Sequence, residues 1–365
     1  MSGKGRVALL VTLALAGIAA RAVTMLRLPA VDLCGADFPV FYASGKLVGT
    51  PDLYTAAAVQ RIQLREMACT TPSALFIRLP YFAAWMWPWA RLPFWPSFAL
   101  WRAANVLAIA VFIWLWPAPR EWTLLTCAWS LPLGYAITNG QDVGFLLMWL
   151  AIGFVLLRRE TADSAGLAFS MCAAKFHLFL LFPLQALGGL HRMLLGLLGG
   201  GAALLAVCFA VQGAAWPAEF LAAATNSRID PHPHLLFNIR GLAHGSMAAE
   251  VCGSALVGLA ALYVFRYGDA GYRLSAALTG GLLLSHHLTI SDAALLIPVA
   301  LILAFHVNAG ISRLVAIFLV TPVAYFLIMT PRTADVPRLL LLVLMILLAW
   351  EVKRQTIPAI AQRNS

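Results

Sequence analysis

Charge is what this chain has least of. Only 11% of its 365 residues are Asp, Glu, Lys or Arg, and the acidic ones number 15. A soluble domain carries about a quarter charged residues, so water on all sides is excluded. Cysteine is sparse, six in all, and no cluster has the spacing of a zinc or iron–sulfur site. No Gly-rich nucleotide loop is present, which argues against a reaction on ATP or a soluble nucleotide sugar. Internal repeats, low-complexity tracts and a separable soluble domain are also missing.

What remains is apolar. Hydrophobic residues make up 62% and the mean hydropathy is +0.85. The apolar runs are longer than the roughly 10-residue alternating strands of an outer-membrane barrel. Residues 1–365 therefore read as one all-α, polytopic integral membrane domain. At about 20 residues per span, it holds about twelve transmembrane helices, with a range of roughly ten to thirteen. Lys and Arg outnumber the acids 25 to 15, for a net charge of +10. They sit at segment ends, where they anchor the chain on its inner side and meet anionic lipid heads, so nucleic acid is not the partner. Lys4 and Arg6 precede the run Val7 to Ala20 and place the N-terminus in the cytoplasm. A cleavable signal ending near Ala19-Ala20-Arg21-Ala22 is the alternative. A retained helix fits better, because the apolar character continues to about Ala30.

Two polar intervals interrupt this pattern, 31–73 and 215–250. Both fall on the outer face in the twelve-span reading. The first holds Asp32, Asp37 and Asp52, and Phe38, Phe41, Tyr42 and Leu47 form a stripe suited to a short interfacial helix. Asp37 is the leading carboxylate for chemistry, although Asp at a helix start also serves as a cap. Asp52 lies in the turn Gly49-Thr50-Pro51-Asp52. Cys34 and Cys69 bracket this loop and are either a disulfide or two free thiols. Cys127, Cys172, Cys208 and Cys252 read as small buried hydrophobes. Trp85, Trp87, Trp89 and Trp95 suggest an interfacial belt.

Lys175 lies inside the apolar segment 164–190, with His177 beside it. A mid-segment ammonium costs on the order of 2.5–3.5 kcal/mol on insertion scales, so it faces a cavity or partner unless it snorkels to an interface. Arg158-Arg159 and His191-Arg192 flank this segment, so a simple span puts one basic end outside. Either the charge rule fails here, or the segment is a re-entrant hairpin bending near Lys175. Arg240 in the second loop can fork onto a phosphate or stay solvated. His286 and His287 can donate to a phosphate or sugar, and with His232, His234 or His244 they offer only weak metal evidence. Asp292 reads as a helix cap, and Gly140-Gln141-Asp142 ends one apolar run and opens the next.

Taken in order, these residues resemble glycosyltransferase family 87, in the membrane-embedded C-type superfamily. The resemblance covers roughly Asp37 to Pro298. It is carried by Asp37-Phe38 with Phe41-Tyr42, by Gly49-Thr50-Pro51-Asp52-Leu53-Tyr54, by Leu79-Pro80-Tyr81 and Pro88 to Pro93, and by Gly140-Gln141. Ala165-Gly166-Leu167 with Lys175, Asn238 to Leu242, and Ser285, His287, Asp292 and Pro298 complete it. Three departures stand out: a single Pro80 where prolines are paired, Phe176 where proline follows the lysine, and His286 in place of proline. The resemblance implies an inverting transfer of a hexose, mannose first, from a polyprenyl-phosphate donor to a lipid or glycan acceptor. The setting it implies is the outer face of a bacterial cytoplasmic membrane, amid membrane lipids. Asp37 would be the general base. Lys175, Arg240, His286 and His287 would hold the donor phosphate, and Tyr42, Tyr54, Gln141 and Asn238 would line the substrate groove. No cofactor or metal is required if these cations stabilise the leaving phosphate. Two other readings stay open: a lipid or sugar transporter without transferase activity, and a related polymer ligase using a diphosphate-linked donor.

Overall fold

The computed structural model describes residues 3–27, 36–67, 75–225 and 236–363, and every regular element among them is helical. In chain order these are α1 (Gly3–Arg27), α2 (Asp37–Leu47), α3 (Ala56–Met67), α4 (Pro80–Ala90), α5 (Phe94–Leu115), α6 (Arg120–Trp129), α7 (Leu131–Asn139), α8 (Val143–Arg158) and α9 (Ala162–Ser170). Then come α10 (His191–Gln212), α11 (Trp216–Ala224), α12 (Ile239–Leu242), α13 (Met247–Tyr267), α14 (Ala270–Leu284), α15 (Leu296–Phe305), α16 (Ile311–Leu319), α17 (Pro322–Met329) and α18 (Asp335–Arg363). Three 3₁₀ segments, Met171–Leu178, Phe182–Gly188 and Ile290–Leu295, join them. Asp32, Cys34, Cys69, His232 and His234 lie outside the described residues.

Among the described residues, length and composition qualify four helices to cross a membrane, within α1, α5, α10 and α13, and up to six if each of two bent pairs is one span. That is short of about twelve, because several apolar runs are jointed. The run at 121–138 divides at Ser130 into α6 and α7. Pro132 lacks a backbone donor, and the Ser130 hydroxyl caps the new start by accepting from Leu133 N at 3.3 Å. Pro322 opens α17 without a side-chain cap, and α17 lies at 64° to α16.

The segment 162–188 is the most consequential joint. Its two helical parts meet at 118°. The backbone leaves helical geometry at Lys175, with φ −124° and ψ 53°. α9 packs alongside α10 in the same direction, and Arg192 at the start of α10 pairs with Asp163 at the start of α9 at 2.7 Å. The returning part ends at Gly188, whose carbonyl accepts from Arg273 Nη1 at 2.7 Å, near the beginning of α14. Of the two arrangements the sequence allows, the hairpin is the one found, and its tip carries Lys175 and His177.

Close approach of α9 to α10 depends on two glycines. A Cβ on Gly166 would overlap the Met193 carbonyl, and one on Gly196 the Asp163 carbonyl. Both obstacles are backbone and cannot swing aside. Gly196→Leu should therefore cost about 1–3 kcal/mol or more through overpacking. A drop in thermal midpoint of the purified protein checks this, and an unchanged midpoint would mean that the helices separate freely.

α2 is not a surface helix: Phe38 to Gly45 are all buried. Phe38 packs on Phe98 and Trp101 of α5 at 5.0 and 6.0 Å, and Phe41 meets Phe82 of α4 edge-on at 4.8 Å. The tryptophans divide between two roles. Trp87 and Trp95 are exposed, as a belt requires, whereas Trp85 and Trp89 turn inward onto Trp101 at 5.2 and 5.4 Å. Cys127, Cys172 and Cys208 are buried, but Cys252 is exposed on α13.

Candidate active site

Six chain segments converge on a cavity of about 400 Å³: the start of α2, α3, the strap before α4, the end of α7, the tip of the 162–188 hairpin and the turn before α15. Each delivers at least one polar group to the lining.

Asp37 is the first residue of α2. The N-cap is Ala36, with no side-chain capping bond, so the Asp37 carboxylate is not occupied in finishing the helix. It lines the cavity and accepts a hydrogen bond at Oδ2 from Gln141 Nε2. Gln141 reaches it because Gly140 ends α7 in the left-handed region at φ +68°, where a Cβ would also collide with Phe38. Only glycine combines that dihedral with that contact. Asp37 lies outside the candidate spans. Burial raises its pKa above the ordinary carboxylate value. Lys175 and Arg78 pull it back, and Asp292 and Asp142 push it further up.

Lys175 sits at the break in the hairpin, 2% exposed. Its ammonium pairs with Asp292 Oδ1 and lies 3.8 Å from Asp142 Oδ1. Arg78 joins the same cluster, with Nη2 3.3 Å from Asp142 Oδ1 and Nη1 donating to the Ala174 carbonyl beside the break. Its guanidinium lies 5.5 Å from the ring centres of Phe41 and Phe82. Asp292 is fixed in turn, since its Oδ2 accepts from Thr289 N at 2.8 Å and Thr289 Oγ1 at 3.0 Å. The cap is Thr289 rather than Asp292, which sits three residues on and reaches back to it in a capping box, and the same carboxylate also holds Lys175.

His177 and His287 line the cavity from different segments, with ring centres 6.0 Å apart. His286 points elsewhere: it is exposed and contacts Arg240 Nη1 at 3.0 Å, and neither residue lines the cavity. The remaining groove candidates are off the lining as well. Tyr42 is fully buried and its hydroxyl reaches Leu92 O at 2.8 Å and Glu66 Oε2 at 2.9 Å. Tyr54 donates to the Arg78 carbonyl at 3.0 Å, which sets the strap that carries Arg78. Asn238 caps α12 through Gly241 N at 2.8 Å and donates to Ser285 O at 2.7 Å.

The structure therefore brings together Asp37, Gln141, Lys175 and His287. It adds Arg78, Asp142, Asp292 and His177. Arg78 carried a signal that sequence reasoning overlooked: it is a lone cation in the apolar run from Ala74 to Tyr81, the same pattern that singled out Lys175. Among the described residues, no three His, Cys, Asp or Glu side chains are grouped to hold a metal ion. A cavity-lining carboxylate, a hydrogen-bonded amide and a set of fixed cations suit proton abstraction beside a developing anion.

In comparisons with known proteins, the profile of glycosyltransferase family 87 matches residues 76–291. That stretch contains Arg78, Gln141, Asp142, Lys175, His177 and His287, and Asp37 precedes it. No curated protein and no solved structure matches.

Proposed function

The chain belongs to glycosyltransferase family 87 and is a membrane glycosyltransferase, and from that premise we propose that it moves a hexose, mannose first, from a polyprenyl-phosphate donor to a lipid or glycan acceptor. Asp37 is the general base, and the sugar carbon is inverted. The observation that carries this reading is the Asp37 carboxylate on the wall of the cavity, held by Gln141 and doing no capping.

In the step proposed, the acceptor hydroxyl attacks the anomeric carbon and gives its proton to Asp37. The bond from that carbon to the donor phosphate oxygen breaks, and its electron pair leaves with the phosphate. A phosphate is already a good leaving group, so one carboxylate suffices, where a glycoside hydrolase needs a pair. Lys175 and His287 face the developing charge from the cavity wall. Arg240 and His286, paired 3.0 Å apart away from the lining, are placed to meet a headgroup outside the cavity.

The outer face of a bacterial cytoplasmic membrane fits the charges. Arg158-Arg159 and His191-Arg192 flank the hairpin, and the Asp163–Arg192 pair joins the starts of α9 and α10 at one end of the molecule. By the positive-inside rule that end is cytoplasmic. The far end of α10 meets the first polar loop, where Gln212 Nε2 donates to Thr50 O at 2.6 Å. The loop that carries Asp37 is then outside.

A base must be ionised to accept a proton. Since burial raises the pKa of Asp37, the acid limb of kcat should lie above the ordinary carboxylate range. Activity should fall as pH drops through that limb and recover as it rises. Rates measured across pH with purified protein in lipid and a polyprenyl-phosphate mannose check this. A flat profile down to the usual carboxylate pKa would remove Asp37 as the titrating base.

A further inference from the structure

Most polar side chains on the cavity wall are occupied in holding one another. Arg78 and Lys175 are tied to buried carboxylates. Asp37 is held by Gln141, and Asp292 by Thr289. Tyr135 and Asn139, both on α7, line the same cavity and are not part of this network. Among the described residues neither side chain makes a hydrogen bond, and the Tyr135 ring meets no other aromatic ring. Tyr135 is exposed and Asn139 half-buried. A phenol and a carboxamide that the fold leaves unused, on the wall of a cavity, are available to what enters it.

Their position says which substrate that is. They lie four residues apart, about one turn of helix, so they share a face and are separated by about 6 Å along the axis. Asn139 is the last residue of α7, and the turn that follows sets the Gln141 amide on Asp37. Base, carboxamide and phenol therefore follow one another along one wall. The cations arrive from other segments, Arg78 from the strap and Lys175 from the hairpin tip. In an inverting displacement the attacking oxygen and the leaving group are on opposite faces of the sugar carbon, and the attacking hydroxyl is the one beside the base. The α7 wall is thus the acceptor's side.

The chemistry of the pair selects among acceptors. A carboxamide offers two donors and an acceptor in one plane, which matches the neighbouring hydroxyls of a sugar. A tyrosine ring offers an apolar face to the C–H side of a sugar ring and a hydroxyl at its rim. A lipid alcohol has one hydroxyl, which the base already meets, and its chain would take water from the carboxamide without replacing the lost hydrogen bonds. We propose that Tyr135 and Asn139 form the acceptor subsite, and that the acceptor is a glycan. The sugar carrying the attacking hydroxyl hydrogen-bonds to Asn139, and its ring or that of the preceding sugar rests on Tyr135. This rests on the transfer with Asp37 as base proposed above. A free glycan and the headgroup of a glycolipid present the same hydroxyls, and the experiment separates them.

The test is transfer by purified protein in lipid from a short-chain prenyl-phosphate mannose to a panel of acceptors. The panel holds free hexose disaccharides, the same disaccharides on an octyl chain, and dodecanol. Mannose should move to at least one disaccharide and not to dodecanol. Transfer to the octyl form alone identifies a glycolipid headgroup, and transfer to both forms a free glycan. In Asn139→Ala and in Tyr135→Ala, KM for the accepted sugar should rise about three- to tenfold, as expected for one lost hydrogen bond or ring contact. The donor Kd should hold, and kcat should change little. Tyr135→Phe keeps the ring and should stay within about twofold. The thermal midpoint of each variant is read alongside, because a merely structural role would lower it together with kcat. Transfer to dodecanol as fast as to the sugars, or to no sugar while the donor binds, would overturn the glycan assignment. An unchanged KM in both alanine variants, or a weakened donor Kd, would overturn the assignment to this pair. A donor that does not bind the parent protein would overturn the transfer reading itself, and this inference with it.

Discussion

Asp37→Asn should lower kcat by about 10²–10⁴-fold, the contribution of a positioned general base, while donor binding holds or tightens. The substitution is nearly isosteric. Its amide oxygen can still accept from Gln141, so the link between α2 and the α7 turn survives. What is lost is the ability to take the acceptor's proton. The donor meets one less negative charge in the cavity, so its Kd should not rise. Stability should also change little. Ala36 is the N-cap and no side-chain cap is broken, which leaves only the favourable meeting of a carboxylate with a helix N-terminus, worth about 0.3–1 kcal/mol at an exposed end. A single-turnover transfer assay beside a donor-binding titration separates these effects. Transfer within tenfold of the parent protein would give the base's role to another group, and weakened donor binding would make Asp37 a binding residue.

Helical membrane architecture was legible from composition, because backbone groups in lipid must be satisfied within the segment. The number of spans was less so. Joints at Ser130 and Thr321 divide runs that hydropathy reads as continuous, with Pro132 and Pro322 beside them, whereas the joint near Lys175 was legible as one of two alternatives from the basic residues that flank its segment. Lys175 stood out because an ammonium in an apolar run needs a partner. That partner could not be found by the same reasoning. Asp142 and Asp292 each begin an apolar run, where an acid is explained locally as a helix start, and nothing local says that both meet the same cation. Tyr42 shows the opposite limit. It sits five residues from Asp37 in sequence, yet the helix turns it away from the cavity onto Leu92 and Glu66. Residues close along the chain share a site only if the helical period puts them on one face.

Lys175→Met should be among the most destabilising single changes in the chain, costing on the order of 3–5 kcal/mol. Methionine fills similar space, so packing is not the cause. The change strands Asp292 and leaves Asp142 with Arg78 alone, in a place where neither acid reaches water. Lys175→Met with Asp292→Asn should recover part of that loss, because the second change removes the stranded charge while an amide oxygen can still accept from Thr289. A coupling of at least about 1 kcal/mol between the two sites is expected for residues in one network. Unfolding of the four proteins of the cycle in the same detergent reads it directly. Additive losses would mean that the pair contributes no interaction of its own. Neither variant should transfer sugar, even where folding recovers, because the ammonium does more than balance charge. It holds the broken turn of the hairpin against the α15 side of the cavity, and Arg78 grips the adjoining Ala174 carbonyl from the α4 side. Arg78→Lys would keep the charge but lose the planar fork that reaches Asp142 and Ala174 together. A re-entrant tip has no continuous helix to fix it in place, so these side chains set where His177 lies relative to Asp37. The buried ions that cost stability to assemble are therefore what hold the hairpin tip against the wall that carries Asp37.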